Sequence, residues 1–126
     1  MFRATRTRLG PTYRAMLSFQ KLRVYQHAIG FLALSLEISA HLPRGSADLA
    51  DQLLRAAQSG PRNIAEGAGR RTRADQARFY ATARGSAMEA AAALDTMRVM
   101  KMVSEERYGR GIELLEGIVA MLTKMC

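Results

Sequence analysis

The chain has 126 residues, 48% of them apolar, with no tryptophan, one cysteine and a formal charge of +8. That length is one domain, and its wealth of Ala, Leu, Arg and Met suits helix far better than sheet. The lone Cys126 excludes an intrachain disulfide, no apolar run approaches the roughly 20 residues of a membrane span, and a cytoplasmic protein with polyanionic partners is expected.

Residues 1–18 read as a separate basic tail. Arg3, Arg6, Arg8 and Arg14 precede Met16 with no acid among them. Without those four, fifteen basic residues face eleven acids and the charge is +4. The segment lacks helical periodicity and holds Gly10-Pro11, a breaker pair. A basic arm for nucleic acid is one reading. An extension without structure, or a true start at Met16, is preferred. No apolar stretch resembles a signal peptide.

The remainder, 19–126, predicts four helices. The first runs from about Phe19 or Leu22 to His41 and stops at Pro43 and Gly45. Leu22, Tyr25, Ile29, Leu32 and Leu36 form one stripe at about 100° per residue. Val24, Ala28, Phe31, Ile38 and Leu42 form a second. Together they exceed the apolar arc of about 100° that one packing partner needs, so burial on two sides is expected. The second side would be a neighbouring subunit.

The second helix should begin with Ser46 as N-cap and Asp48 in its first turn. Leu49, Leu53, Ala56, Ala57 and Ile64 point inward. Asp51–Arg55 and Arg62–Glu66 are outward pairs at i,i+4. Pro61 removes a hydrogen bond and crowds the carbonyl of Ala57. Because the apolar phase survives, a helix kinked at Pro61 is expected to reach about Ala65, with Gly67 and Gly69 as C-terminal caps.

The third helix should start at Thr72, where Thr72-Arg73-Ala74-Asp75 approximates a capping box. Phe79, Ala83, Ser86, Ala90, Leu94 and Met97 share a face of mostly small residues. Gly85 in mid-helix costs about 1 kcal/mol against Ala, and a close backbone contact would account for it. The fourth helix should start at Ser104, with Glu105 and Glu106 in the first turn. Tyr108, Ile112, Leu115, Val119 and Leu122 lie beside a second stripe of Leu114, Ile118, Met121 and Met125. Short connections favour an all-α, antiparallel up-down-up-down four-helix bundle, and the wide apolar faces favour a homo-oligomer.

Between Ser59 and Glu89 the residues resemble a known family. Asn63-Ile64-Ala65-Glu66-Gly67, Gly69-Arg70-Arg71, Phe79, Ala83 and Gly85-Ser86 with Glu89 are similar to the small four-helix proteins encoded in intervening sequences of 23S rRNA genes, also labelled S23 ribosomal protein. Phe19, Leu22, Val24, Gln26 and Ala28 resemble the family's opening pattern, with Tyr25 where Trp is usual. Ser59-Gly60-Pro61-Arg62 replaces Ser-Ile-Pro-x, and Asp75-Gln76 stands where Glu-Phe is common. The resemblance implies an antiparallel bundle, often a ring-like homopentamer. It also implies kinship with accessory proteins of diversity-generating retroelements, which bind nucleic acid and a reverse transcriptase through a basic surface.

Arg62, Arg70, Arg71, Arg73 and Arg78 gather at the second turn and could hold phosphates by charge without reading sequence. Against this stands a solvated turn in which Arg70 or Arg71 pairs with Glu66. Asn63 and Glu66 suit a backbone contact near Pro61 and a salt bridge better than catalysis. His27 and His41, 14 residues apart on one helix, do not share a metal, and no cysteine completes a zinc site. The methionines suit core filling, and Tyr80 and Tyr108 suit the core's edge with wet hydroxyls. No nucleophile–base pair, P-loop or dinucleotide fingerprint is present. The expected protein is a non-enzyme without cofactor or membrane partner, accessory to an RNA or DNA process. The alternative is a structural oligomer that does not bind nucleic acid.

Overall fold

A computed structural model describes residues 17–126. The tail arginines and Met16 lie outside the described residues. A short 3-10 turn, Ser18–Lys21, leads into α1 (Arg23–Ala40), α2 (Ala47–Ala68), α3 (Arg73–Val99) and α4 (Glu105–Met125). No strand occurs among the described residues. Each helix packs on two neighbours: α2 on α3, α3 on α4, α4 on α1 and α1 on α2, while the diagonal pairs stay apart.

Side-chain caps set two helix starts as expected. The Thr72 hydroxyl accepts from the Asp75 N–H at 3.1 Å, and the Ser104 hydroxyl accepts from the Arg107 N–H at 3.1 Å. Each such cap stabilises its helix by about 1 kcal/mol. Ser46 occupies the N-cap position of α2, but its buried hydroxyl does not cap. It donates instead to the Met102 sulfur at 3.8 Å, joining the α1–α2 and α3–α4 loops.

The second stripe of α1 is the core stripe: Val24, Ala28, Phe31 and Ile38 are buried with Leu34. Of the first, Leu22, Tyr25 and Leu32 are partly buried against the core, while Ile29 and Leu36 are exposed. Leu53, Ile64, Leu94, Met97 and Leu122 are fully enclosed. Met88 and Met100 are exposed, so core filling describes only part of the methionine set. Tyr80 is in the core, contrary to expectation, and burial raises its hydroxyl pKa. Tyr108 is half-buried, and its hydroxyl donates to Asp95 Oδ1 at 2.6 Å, which holds the proton on the phenol.

Two glycines behave otherwise than expected. Gly67 is not a cap: α2 continues through Pro61 and Gly67 to Ala68. Gly67 is buried, and a Cβ there would lie 2.7 Å from Tyr80 Cε1 and 3.1 Å from Phe79 Cβ. It is the point where α2 and α3 come closest to a rigid ring. Gly85 was expected to make such an approach, yet it is exposed and a Cβ there would meet nothing within 4 Å. Gly69 does end α2, its N–H reaching the carbonyls of Ala65 and Glu66 at 3.2 Å, but from right-handed backbone.

Near Pro61 a polar chain crosses the α2–α3 seam. The Asn63 amide donates to the Ser59 carbonyl at 2.9 Å and to the Ser59 hydroxyl at 3.1 Å. The Ser86 hydroxyl lies 2.7 Å from Ser59 Oγ and 3.1 Å from the Thr82 carbonyl. Asn63 thus serves the backbone near the proline, at Ser59 rather than at Ala57, the carbonyl that Pro61 leaves without its bond.

At the other end of the bundle Glu37 accepts from Arg107 Nε at 2.7 Å and lies 3.4 Å from Arg110. The Arg107 hydrogen bond holds the Glu37 carboxyl below its ordinary range. A carboxylate with a lowered folded-state pKa stabilises the fold above its unfolded value and loses that effect as pH falls through the folded value.

Gly67→Ala should destabilise in urea by about 1–3 kcal/mol through overpacking, less any helix-propensity gain. Gly30→Ala, at an exposed α1 site with nothing within 4 Å, should stabilise by roughly 0.5–1 kcal/mol. Glu37→Gln should lower the melting temperature at neutral pH, and the difference from wild type should fade as pH drops below the ordinary carboxylate range.

Candidate nucleic-acid interface

The α2–α3 turn is short and tied down. The Arg70 N–H donates to the Gly67 carbonyl at 3.1 Å, and the Gln76 amide donates to the Arg70 carbonyl at 3.1 Å. Arg70, Arg71 and Arg73 are therefore held on a rigid tip. That tip projects. Arg84 Nε donates to the Thr123 hydroxyl at 2.8 Å, and α4 ends at Met125. From Arg84 back to Arg73, α3 extends with α2 beside it for about 13 Å past Met125, at 1.5 Å per residue.

Excess charge collects at this end. Lys21, Arg23, Arg62, Arg70, Arg71, Arg73, Arg78 and Lys124 lie towards it, with only Glu66 and Asp75 as acids. These are eight of the fifteen basic residues after Met16 and two of the eleven acids. The rest of the bundle carries slightly more acid than base.

The five candidate arginines are not equivalent. Arg70 pairs with Glu66 at 2.7 Å, and Arg78 with Asp75 at 3.1 Å. Of the two pairings expected for Glu66, the structure shows the one across the turn with Arg70 and not the one with Arg62, and Asp51–Arg55 is not an ion pair within 4 Å among the described residues. Both guanidinium carbons also stand over the Phe79 ring, at 4.7 Å and 4.6 Å from its centroid. Each cation–π contact at an exposed site stabilises by about 0.5–1 kcal/mol. Phe79 therefore acts as a spacer that holds two cations, and its ring is already engaged by them.

Arg71 and Arg73 are exposed and make no ion pair among the described residues. Arg73 begins α3, where the helix dipole disfavours a cation by a few tenths of a kcal/mol or more. These two are the freest cations of the tip. Arg62 stands apart, eight residues before Arg70 on α2, about 12 Å along the axis. It lines a cleft of about 770 Å³ on the α2–α3 seam with Arg55, Ser59 and Gln52, opposite Glu89 and Thr96.

The motif residues split accordingly. Asn63, Gly67, Gly69 and Ser86 shape the seam and the turn, and Glu66 orients Arg70. Gly85 and Glu89 are exposed on the cleft face of α3 with no such internal role. Sequence reasoning missed Phe79 as a cation spacer. The adjacency Arg78-Phe79 was visible, but the approach of Arg70 depends on the turn. His27 and His41 each donate from Nδ1 to a carbonyl one turn back, of Arg23 and Glu37, at 2.9 Å. Among the described residues no three His, Cys, Asp or Glu side chains are placed to hold a metal ion. No described helix is long and apolar enough to cross a membrane.

Comparison with known proteins agrees with this architecture. The family described as 23S rRNA-intervening sequence protein matches residues 20–124. A crystal structure of a protein of unknown function from the S23 ribosomal protein family of Bacteroides thetaiotaomicron VPI-5482 superposes with a TM-score of 0.75. It is 20% identical, and the match covers 81% of this chain and 96% of that one. No curated protein sequence matches. With the family pattern running through all four helices, the chain belongs to the 23S rRNA-intervening sequence protein family.

Proposed function

We propose that this protein is a non-enzymatic, cytoplasmic homo-oligomer that binds nucleic-acid backbone through the tip of its α2–α3 hairpin. It would act as an accessory or scaffold in an RNA or DNA process. The observation that carries this reading is the segregation of charge. Eight basic residues lie towards the end that projects beyond α4, with two acids among them. A cationic projection of this kind neutralises phosphates and steers polyanions without reading bases. The two guanidiniums over Phe79 already engage its ring, which favours backbone contact over base recognition.

The assembly is read as an up-down-up-down bundle with α2 kinked at Pro61. It is supported by the pairing of each helix with its chain neighbours and by the hydrogen bond the proline cannot make. Exposed Ile29 and Leu36 on α1 support a homo-oligomer, as does an apolar groove of about 340 Å³ where Met88 and Ala91 face Ile112 and Val119. The family resemblance makes a pentamer the natural count and a reverse transcriptase one natural protein partner. A purely structural oligomer is favoured by a different observation: Arg70 and Arg78 are already paired with acids.

The experiment is fluorescence anisotropy with a mixed-sequence RNA and DNA pool across a salt series, on chains starting at Met1 and at Met16. Arg71→Ala with Arg73→Ala should weaken binding several-fold and flatten the log–log salt slope by about 2, close to one unit for each phosphate no longer neutralised. An unchanged slope in both chains would leave the structural oligomer. Binding confined to the chain starting at Met1 would move the site to the tail.

A further inference from the structure

The cleft on the α2–α3 seam is not explained by phosphate binding, because an exposed carboxylate sits in it. Its α2 wall carries Arg55 and Arg62, seven residues apart and so on one face about 10 Å apart. Its α3 wall carries Glu89, and its floor is Ala56, Ala92 and Ala93. Arg55, Arg62 and Glu89 are exposed, and none forms an ion pair among the described residues. Gly85 lies one turn before Glu89 on the same face, with open space where a Cβ would stand. A glycine there weakens α3, and no neighbour within the chain uses the room.

The outer face of α4 shows the opposite pattern. Glu106 and Glu113 are exposed and also seven residues apart, and Arg110 lies between them. Glu106 has only a loose contact with Arg110 at 3.5 Å, and Glu113 has no ion pair among the described residues. Gly109 sits on the same face, exposed, again with nothing within 4 Å of a Cβ. The ridge thus offers two acids at the spacing of the cleft's two arginines, with a base where the cleft has an acid on its opposite wall, and each surface lacks a Cβ near its middle.

We infer that the α4 ridge of one copy of this chain docks into the α2–α3 cleft of the next, pairing Glu106 and Glu113 with Arg55 and Arg62 and Arg110 with Glu89. This rests on the homo-oligomer reading and names its interface. The occupant is a second copy because the complementary charges, at the same spacing, are on this chain. A nucleic-acid strand is disfavoured because Glu89 would repel its phosphates. The two surfaces differ and lie on different helices, so the contact is heterologous. Repeated, it closes a ring or extends a filament rather than making a two-fold dimer. Small residues on both sides allow the helices to approach closely, and the charges fix register and partner more than they supply affinity.

The test is light scattering after size exclusion on the full chain and three charge-reversed forms: Arg55→Glu with Arg62→Glu, Glu106→Arg with Glu113→Arg, and all four together. The reversed sites are exposed, and far-UV circular dichroism checks that helicity is kept. Each double variant should fall towards the single-chain mass of 13.9 kDa. The fourfold variant should regain the wild-type mass, as should a mixture of the two doubles wherever the ring admits an even number of copies. Double variants that keep the wild-type mass, or a fourfold variant that stays dissociated, would overturn the interface while leaving the oligomer intact as a reading. A wild-type chain at 13.9 kDa would overturn the oligomer itself.

Discussion

The close packing of α2 on α3 is the constraint on which the rest depends. Gly67 lets α2 pass Tyr80 and Phe79 with no room for a Cβ. Farther along the seam, Ser59 and Ser86 meet at 2.7 Å. Such a seam tolerates only small residues, and it converts a proline-containing helix and an alanine-rich helix into one stiff hairpin. The propensity cost of glycine, about 1 kcal/mol in a helix, is offset at Gly67 by burial of the Tyr80 ring. Pro61 is buried in this core, so the missing backbone bond is shielded by packing, and Asn63 ties the adjacent turn through Ser59.

A stiff hairpin can outrun the bundle that supports it. With α4 ending at Met125 and Thr123 level with Arg84, the first three turns of α3 rely on α2 for support. Projection separates the cations of the tip from the acids of α4. Local acids answer only two of the five candidate arginines, and even there the ion pairs are exposed ones, worth little and weakened by salt. Phe79 adds a constraint of another kind, because an aromatic face holds Arg70 and Arg78 in place without neutralising them. The tip is thus preorganised but still cationic, which suits a non-specific polyanion surface.

Much of the fold was legible. The breakers at Pro43, Gly45 and Gly69 and the caps at Thr72 and Ser104 act over three or four residues, so local sequence states them directly. What depended on which helix lies opposite was not legible. Gly67 and Gly85 look alike in sequence: one meets a tyrosine ring and the other meets solvent, and only the α2–α3 register decides which. Glu66 has arginines at both i−4 and i+4; both pairings could be read from the sequence, and the turn decides for Arg70. Tyr80 was placed at the edge because a tyrosine hydroxyl ordinarily reaches water, and only the packing of α3 on α2 shows its ring in the core. At the site, the positions of the arginines were visible. Their division into paired, free and cleft-facing groups required the turn.

If the copies assemble as inferred, assembly and polyanion binding would reinforce one another in this architecture. A single tip offers two unpaired arginines, Arg71 and Arg73, and two phosphates neutralised in high-dielectric solvent hold nucleic acid weakly at physiological salt. A cyclic assembly relates every copy by rotation about one axis, so all tips lie at the same height and describe a circle. A strand bound by one tip then meets the next at high effective concentration, and avidity rises without any new contact. Arg62 faces the seam rather than the tip, so an interface in the cleft would remove it from the solvent-facing set while leaving Arg71 and Arg73 free. The same residue type, separated by the last turns of α2 and the loop that follows, would then serve two purposes: the cations that face an acid across the seam would select the neighbouring copy, and those beyond the reach of any acid would meet the phosphates.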